Sequence, residues 1–404
     1  IMPSLVGSEM CIRDRSWGVV GGCAAVMVAV AALAAASSST PHPVVTSAVH
    51  APQPGVHTPV ATDLVLSFTG DNILGTDDKF STASSLPTLW EQSGRRPDYF
   101  FRNVRQYFDA DDLTVANFEV ALTNWREKRY KGEGGVYHFH GDAALAHTLP
   151  AGGIDVVTVA NNHTFDYGQR GFDDTLAALR SARIGYFGTG DASEGSDYDM
   201  SLLRTVNGVT IGLVGYQTWT DTPEVERKIR TDFDRLRAAG ADVLIPFFHW
   251  GIESEHTPYE VQTNMAHLAI DAGADLVVGT HPHVIQSMEI YRGKLIAYSF
   301  GNFAFGGNSN PTDKRTFILQ ARLHTVDRDV RSVDFRVIPT RVSRTESYND
   351  YVPTPYAGPE KQQVLEFING ISPTLHGRAA DSFVPVAPSR THPPAPTVQA
   401  RPAG

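Results

Sequence analysis

Two imidazoles separated by one proline, His281-Pro282-His283, follow closely on the apolar run Leu276-Val277-Val278. Proline fixes its own φ and restrains the residue before it, so both side chains are presented from a stiff turn. That turn closes a β-branched strand, and α/β sheets place their chemistry at such C-terminal ends. Neutral imidazole is the commonest protein ligand for a divalent transition metal. The arrangement recurs along the chain. Residues 64–69 run into Gly70-Asp71, 113–118 into Glu119, 154–160 into Asn161-Asn162-His163, and 243–248 into His249. Carboxylate, amide and imidazole without thiolate form a donor set suited to zinc, manganese or iron. Carboxylates can bridge cations, so the set fits a hydrolytic centre of one or two divalent metal ions.

The elements that must position these groups are legible from periodicity. Apolar residues spaced three and four apart predict helices over residues 171–182, 223–239 and 258–272, with Gly240 and Gly273 as C-terminal caps. Strands alternating with helices imply an α/β protein with a largely parallel, helix-covered sheet. Two further extended stretches, 201–215 around Asn207-Gly208 and 317–338, predict antiparallel pairing. In a parallel sheet the C-terminal ends share one edge, which would gather the candidate ligands.

The motifs Gly70-Asp71-Asn72-Ile73-Leu74-Gly75, Asn117-Phe118-Glu119, Ala160-Asn161-Asn162-His163-Thr164-Phe165-Asp166-Tyr167-Gly168, His249-Trp250-Gly251-Ile252-Glu253 and Gly279-Thr280-His281-Pro282-His283-Val284-Ile285-Gln286 occur in that order. Tyr298-Ser299-Phe300-Gly301-Asn302-Phe303 continues them. As a set they resemble the CapA family, over roughly residues 64–340. That family is associated with poly-γ-glutamate capsule biosynthesis and has a fold related to calcineurin-like metallophosphoesterases. The resemblance implies a layered sandwich of mixed sheets flanked by helices. It also implies Asp71 and His283 at a first metal, Asn162, His249 and His281 at a second, and Glu119 between them. His163 would face the substrate as proton donor or oxyanion stabiliser. The metallophosphoesterase pattern has a histidine two residues after the first aspartate, where this chain has Ile73, so one metal position is a ligand short.

Around this set, Asp166 is expected to orient His163, and Glu253 and Gln286 to fix imidazole orientation. Tyr298 and Asn302 either line a cleft or pack. The run Arg126-Glu127-Lys128-Arg129-Tyr130-Lys131, flanked by glycines, reads as a solvated loop or as a basic flap. In the second reading Arg126, Lys128 and Arg129 contact an anionic substrate.

The 404 residues carry a net charge of −10, with 42% apolar and 19% charged residues. A globular core is affordable, and general attraction to nucleic acid is excluded. Cys11 and Cys23 both precede the predicted fold, which rules out a disulfide framework or a thiolate metal site. Residues 1–15 read like translated adapter sequence and are set aside. Residues 16–39, with an uncharged Ala/Val-rich run, predict a signal peptide or membrane anchor. Residues 40–62 read as a flexible linker, 63–345 as the folded domain, and 346–404 as an extension with a Pro-rich, disordered tail. The protein is therefore expected in the cell envelope, outside the cytoplasm, anchored or secreted. Its expected partners are an anionic surface polymer such as poly-γ-glutamate and membrane proteins of a capsule synthesis complex. Two other readings stay open: a non-catalytic, polymer-binding accessory subunit, and a nucleotidase-like phosphatase of the envelope.

Overall fold

A computed structural model describes residues 58–132, 136–188 and 201–386. The predicted signal or anchor, most of the linker and the last part of the tail lie outside the described residues. Among the described residues no helix is long and apolar enough to cross a membrane.

Two mixed sheets lie at the centre. In the larger, the first strand (Ala61–Ile73) pairs in parallel with Leu113–Phe118, which leads through Val156–Thr158 to Gly185–Phe187, all parallel. On its other side the first strand pairs antiparallel with Arg315–Val326, which continues to Asp329–Arg341. The smaller sheet runs Met288–Tyr291, Lys294–Ala297, Leu276–Thr280, Val243–His249, Val209–Gln217, Ser201–Val206. Its four inner strands are parallel and the two outer pairings antiparallel.

Period-two alternation explains how the sheets stack. Leu64, Leu66 and Phe68 share one buried cluster with Val243, Ile245 and Phe247, so these are the facing sides of the two sheets. Phe247 meets Phe68 and Phe187 there, at ring separations of 5.8 and 5.2 Å. The intervening residues Leu244 and Phe248 turn outward to the helices Pro223–Ala238 and Glu260–Asp271. The far face of the larger sheet is covered by the helix Gly168–Ser181 through Phe172, Leu176 and Leu179. The order is helix, sheet, sheet, helix, the layered α/β sandwich of mixed sheets expected above. Gly240 and Gly273 cap their helices with φ of 97° and 108°.

The folded region extends beyond residue 345. A helix at Gly358–Ile371 places Val364, Leu365 and Ile368 in the central buried cluster, joined by Leu375, Ala379 and Val386. A short strand at Val384–Pro385 pairs with Asp334 and Phe335. The boundary expected at 345 falls short because these apolar residues are few and scattered along the extension and cover the end of a core formed by the sheets.

Asp111, just before the second strand, sits mostly buried at the opposite end of the sheet from the candidate ligands. One oxygen accepts from Thr114 Oγ1 at 2.7 Å, while the other is buried without a partner. Burial, with Asp155 and Asp112 adding repulsion, raises its carboxyl to about 7. The unfolded chain ionises near the ordinary value, so this residue's contribution to stability falls as pH rises from about 4 to 7. Asp111→Asn should therefore raise Tm at pH 8 by roughly 3–6 °C and give no gain at pH 4, measured by thermal denaturation.

Candidate metal centre

All seven candidate ligand and proton-transfer residues come together at the C-terminal edges of the two sheets. The larger sheet supplies Asp71, Glu119, Asn162 and His163; the smaller supplies His249, His281 and His283. Asp71 pairs in register with Asn117 and Asn302, at an irregularity of the first strand beside Gly70. His249 pairs with Thr280 and Gln217 on neighbouring strands. His281 and His283 have φ of 100° and 58°, a left-handed backbone that non-glycine residues seldom adopt. The stiff turn read from proline is thus also strained, as functional loops often are.

His283 Nδ1 lies 3.2 Å from Asp71 Oδ2. His249 Nε2 lies 2.8 Å from Asn162 Oδ1 and 3.1 Å from His281 Nδ1. Glu119 stands between the two sets. Its Oε1 is buried without a hydrogen-bond partner, 3.5 Å from His249 Nε2 and 3.9 Å from Nε2 of both His163 and His283. Two groups of donor atoms lie within 4.8 Å of one another: Asp71, Glu119 and His249, and Glu119, His281 and His283. Glu119 belongs to both.

Electrostatics point the same way. Burial, reinforced by Asp71, pushes the Glu119 carboxyl well above its usual range. Burial and neighbouring imidazoles hold His249 well below its ordinary value and bring His281 down to about 2. Both are therefore neutral donors. His283 is opposed by burial, yet the carboxylates of Glu119 and Asp71 raise it to about 10. A buried carboxylate oxygen without a donor, ringed by imidazole nitrogens, must take up a proton or be met by positive charge. The residues present fit a divalent cation.

Supporting contacts differ in part from those expected. Asp166 does hold His163, Oδ2 to Nδ1 at 2.6 Å, and that oxygen also accepts from Phe139 N at 2.7 Å. Glu253 and Gln286 do not reach the imidazoles. Glu253 is exposed on a cleft wall, and Gln286 donates to Glu255 O at 2.9 Å and accepts from Gln262 at 2.8 Å, bracing a loop. The imidazoles are oriented instead by Thr280 Oγ1, 3.0 Å from His249 Nδ1, and Asn302 Oδ1, 2.9 Å from His283 Nδ1. Asn117 Nδ2 donates to Asp71 Oδ1 at 2.8 Å and to Glu119 Oε2 at 3.2 Å, fixing both carboxylates. On a strand, Asn117 shares a face with Glu119, so period two could have singled it out. Ile73 is buried in the apolar layer that holds Leu86 and Phe305, and supplies nothing to the centre.

The basic run is exposed but tethered by several contacts. Lys128 pairs with Asp78 at 2.9 Å, and His140 together with Lys128 lowers that carboxyl to about 2. Arg126 contacts His140 at 3.3 Å, and the Arg129 amide donates to Asp166 O at 2.8 Å. Lys131, at the end of the run, pairs with the buried Asp166 behind His163. Lys128 and Lys131 are tied to carboxylates of other segments, while Arg126, Lys128 and Arg129 stay exposed along the run. A cleft of about 620 Å³ opens onto His163, His283 and Asn302, between the rings of Phe80, Tyr137 and Phe139 and a wall bearing Glu253, Asp313 and Arg315.

Residues 65–307 match the model of a family described as bacterial capsule synthesis protein PGA_cap. The chain belongs to that family. Among PGA_cap relatives, the capsule biosynthesis protein CapA of Bacillus anthracis is 31% identical over 52% of this chain and 54% of its own length. The PGA biosynthesis protein CapA of Bacillus subtilis is 32% identical over 60% of this chain and 63% of its own. The chain thus spans between half and two thirds of those two relatives. A probable polyglutamine synthesis accessory protein of Mycobacterium tuberculosis is 29% identical over 58% of this chain and 67% of its own. Among solved structures, a novel phosphatase from Mycoplasma pneumoniae superposes with a TM-score of 0.42 at 14% identity, covering 75% of this chain and 98% of its own. A 5′-nucleotidase precursor from Thermus thermophilus gives 0.38 at 14%, covering 68% and 54%. Likenesses that loose say nothing about what this PGA_cap member acts on.

Proposed function

We propose that this chain is an exported capsule-synthesis protein with a divalent-metal centre of hydrolytic character. It acts on poly-γ-glutamate, or a similar anionic surface polymer, during its making, attachment or trimming. The observation that carries the reading is the buried, partnerless Glu119 oxygen shared by two groups of oxygen and imidazole donors. Asp71, Glu119, Asn162, His249, His281 and His283 would hold one or two cations, of manganese, zinc or iron. Bound there, a cation polarises the scissile group and brings water toward a neutral pKa. His163, whose Nδ1 is held by Asp166, keeps Nε2 toward the centre, where in its protonated form it can give a proton to a leaving group or meet developing negative charge; burial opposes that form and the Asp166 carboxylate favours it. Asn117, Thr280 and Asn302 keep the donors in place. The uncharged run within residues 16–39 supports export, tethered or released, beside membrane proteins of a synthesis complex.

Elemental analysis of the purified chain, together with turnover of poly-γ-glutamate and of a generic phosphodiester under manganese, tests this. About one or two metal ions per chain with turnover is the expected result. Metal-free, folded protein that still binds the polymer would overturn it in favour of a non-catalytic accessory role. The specific observation on that side is the buried Ile73, where the resemblance calls for a ligand.

A further inference from the structure

The cleft described above reaches the ligand cluster on one side only. Its walls include His163, His283 and Asn302 but not His249 or His281. Beyond those two imidazoles stands Trp219. Its indole lies 4.7 Å from the His281 ring and 6.3 Å from the His249 ring, near-perpendicular to both. The His281 ring in turn neighbours that of His283, at 5.8 Å. Trp219 is nevertheless 40% exposed.

The loop that carries it is firmly placed. Gln217 is paired in register with His249, and the next amide, Thr218 N, donates to His249 O at 3.2 Å. Thr218 Oγ1 donates to Thr220 O at 2.9 Å, and Tyr259 Oη donates to Trp219 O at 3.3 Å. Asn264 holds Asp221 at 2.7 Å. A large, rigid aromatic surface, part wet and part seated on two candidate ligands, loses little entropy on making a contact.

We infer that Trp219 forms a substrate subsite on the side of the centre away from the cleft, so that a linear polymer lies across the ligand cluster with links on both sides. The inference rests on the poly-γ-glutamate reading above. Each γ-glutamyl link places two methylenes between successive amides. That apolar step packs against the indole face while the carboxylates turn to solvent or to the centre. Engagement is therefore within the polymer rather than at its tip, and affinity grows with the number of links.

The test uses the full-length, zinc-loaded chain carrying Trp125→Phe, which removes the other exposed tryptophan of the described residues. Its fluorescence is titrated with a γ-glutamyl oligomer of about ten links and with the dipeptide. The oligomer should shift the emission to the blue and the dipeptide should not. Read by isothermal titration, Trp219→Ala should weaken oligomer binding about tenfold, leave zinc affinity within about twofold, and be largely rescued by Trp219→Phe. Equal oligomer binding by Trp219→Ala overturns the subsite and leaves the polymer reading standing. Loss of zinc together with oligomer in that variant makes Trp219 a support of His281 and also overturns the subsite. No oligomer binding by the unaltered chain overturns both.

Discussion

Glu119→Gln should give two changes of opposite sign. Metal affinity, read by isothermal titration, should fall by about a hundredfold or more, since even groups that only orient a ligand are worth 10–100-fold. The substitution removes the one charge common to both donor groups while keeping shape and the bond from Asn117. The metal-free protein should at the same time become more stable, its Tm rising by about 2–6 °C at neutral pH. The sign follows from the raised carboxyl: the fold disfavours ionised Glu119, so stability is lost as pH rises above the ordinary carboxylate range, and an amide escapes that loss. A metal-free Tm that drops would mean Glu119 serves packing rather than a cation.

Gly70→Ala should damage the fold itself. A Cβ at Gly70 would be driven into the carbonyl of Gly301, the same oxygen that accepts from Asp71 N at 3.0 Å. Both partners are backbone in a sheet interior, so no side chain can swing away. Overpacking of this kind costs about 3 kcal/mol or more, or roughly 6–12 °C in Tm for a domain of this size. Thermal denaturation checks it. An unchanged Tm would show that the irregularity beside Asp71 relaxes freely, and the placement of Asp71 would then need another cause.

The ligand candidates were legible because each closes an apolar strand, and parallel pairing leaves such ends nowhere to go but one edge. The helices at 223–239 and 258–272 were legible for the same reason, through spacing and terminal glycines. What escaped was information carried between strands. Asn302, Thr280 and Asn117 act through register, which one-dimensional periodicity does not contain. Glu253 and Gln286 were credited with those bonds because they sit beside the histidines in sequence, while the loop geometry turns them elsewhere. The pairing of Lys128 and Lys131 depends on Asp78 and Asp166, contributed by other segments. The helix at Gly358–Ile371 carries its buried residues, Val364, Leu365 and Ile368, only after a polar start, so its apolar spacing is brief, yet it closes the core.

The first strand is thirteen residues long, from Ala61 to Ile73, with Asp71 near its far end. At about 3.3 Å per residue, some 33 Å separate the point where the polypeptide enters the sandwich from the cation ligands. The strand's length thus sets a fixed standoff: the end where the backbone enters the sheet and the end that carries the carboxylate cannot be reached from the same side.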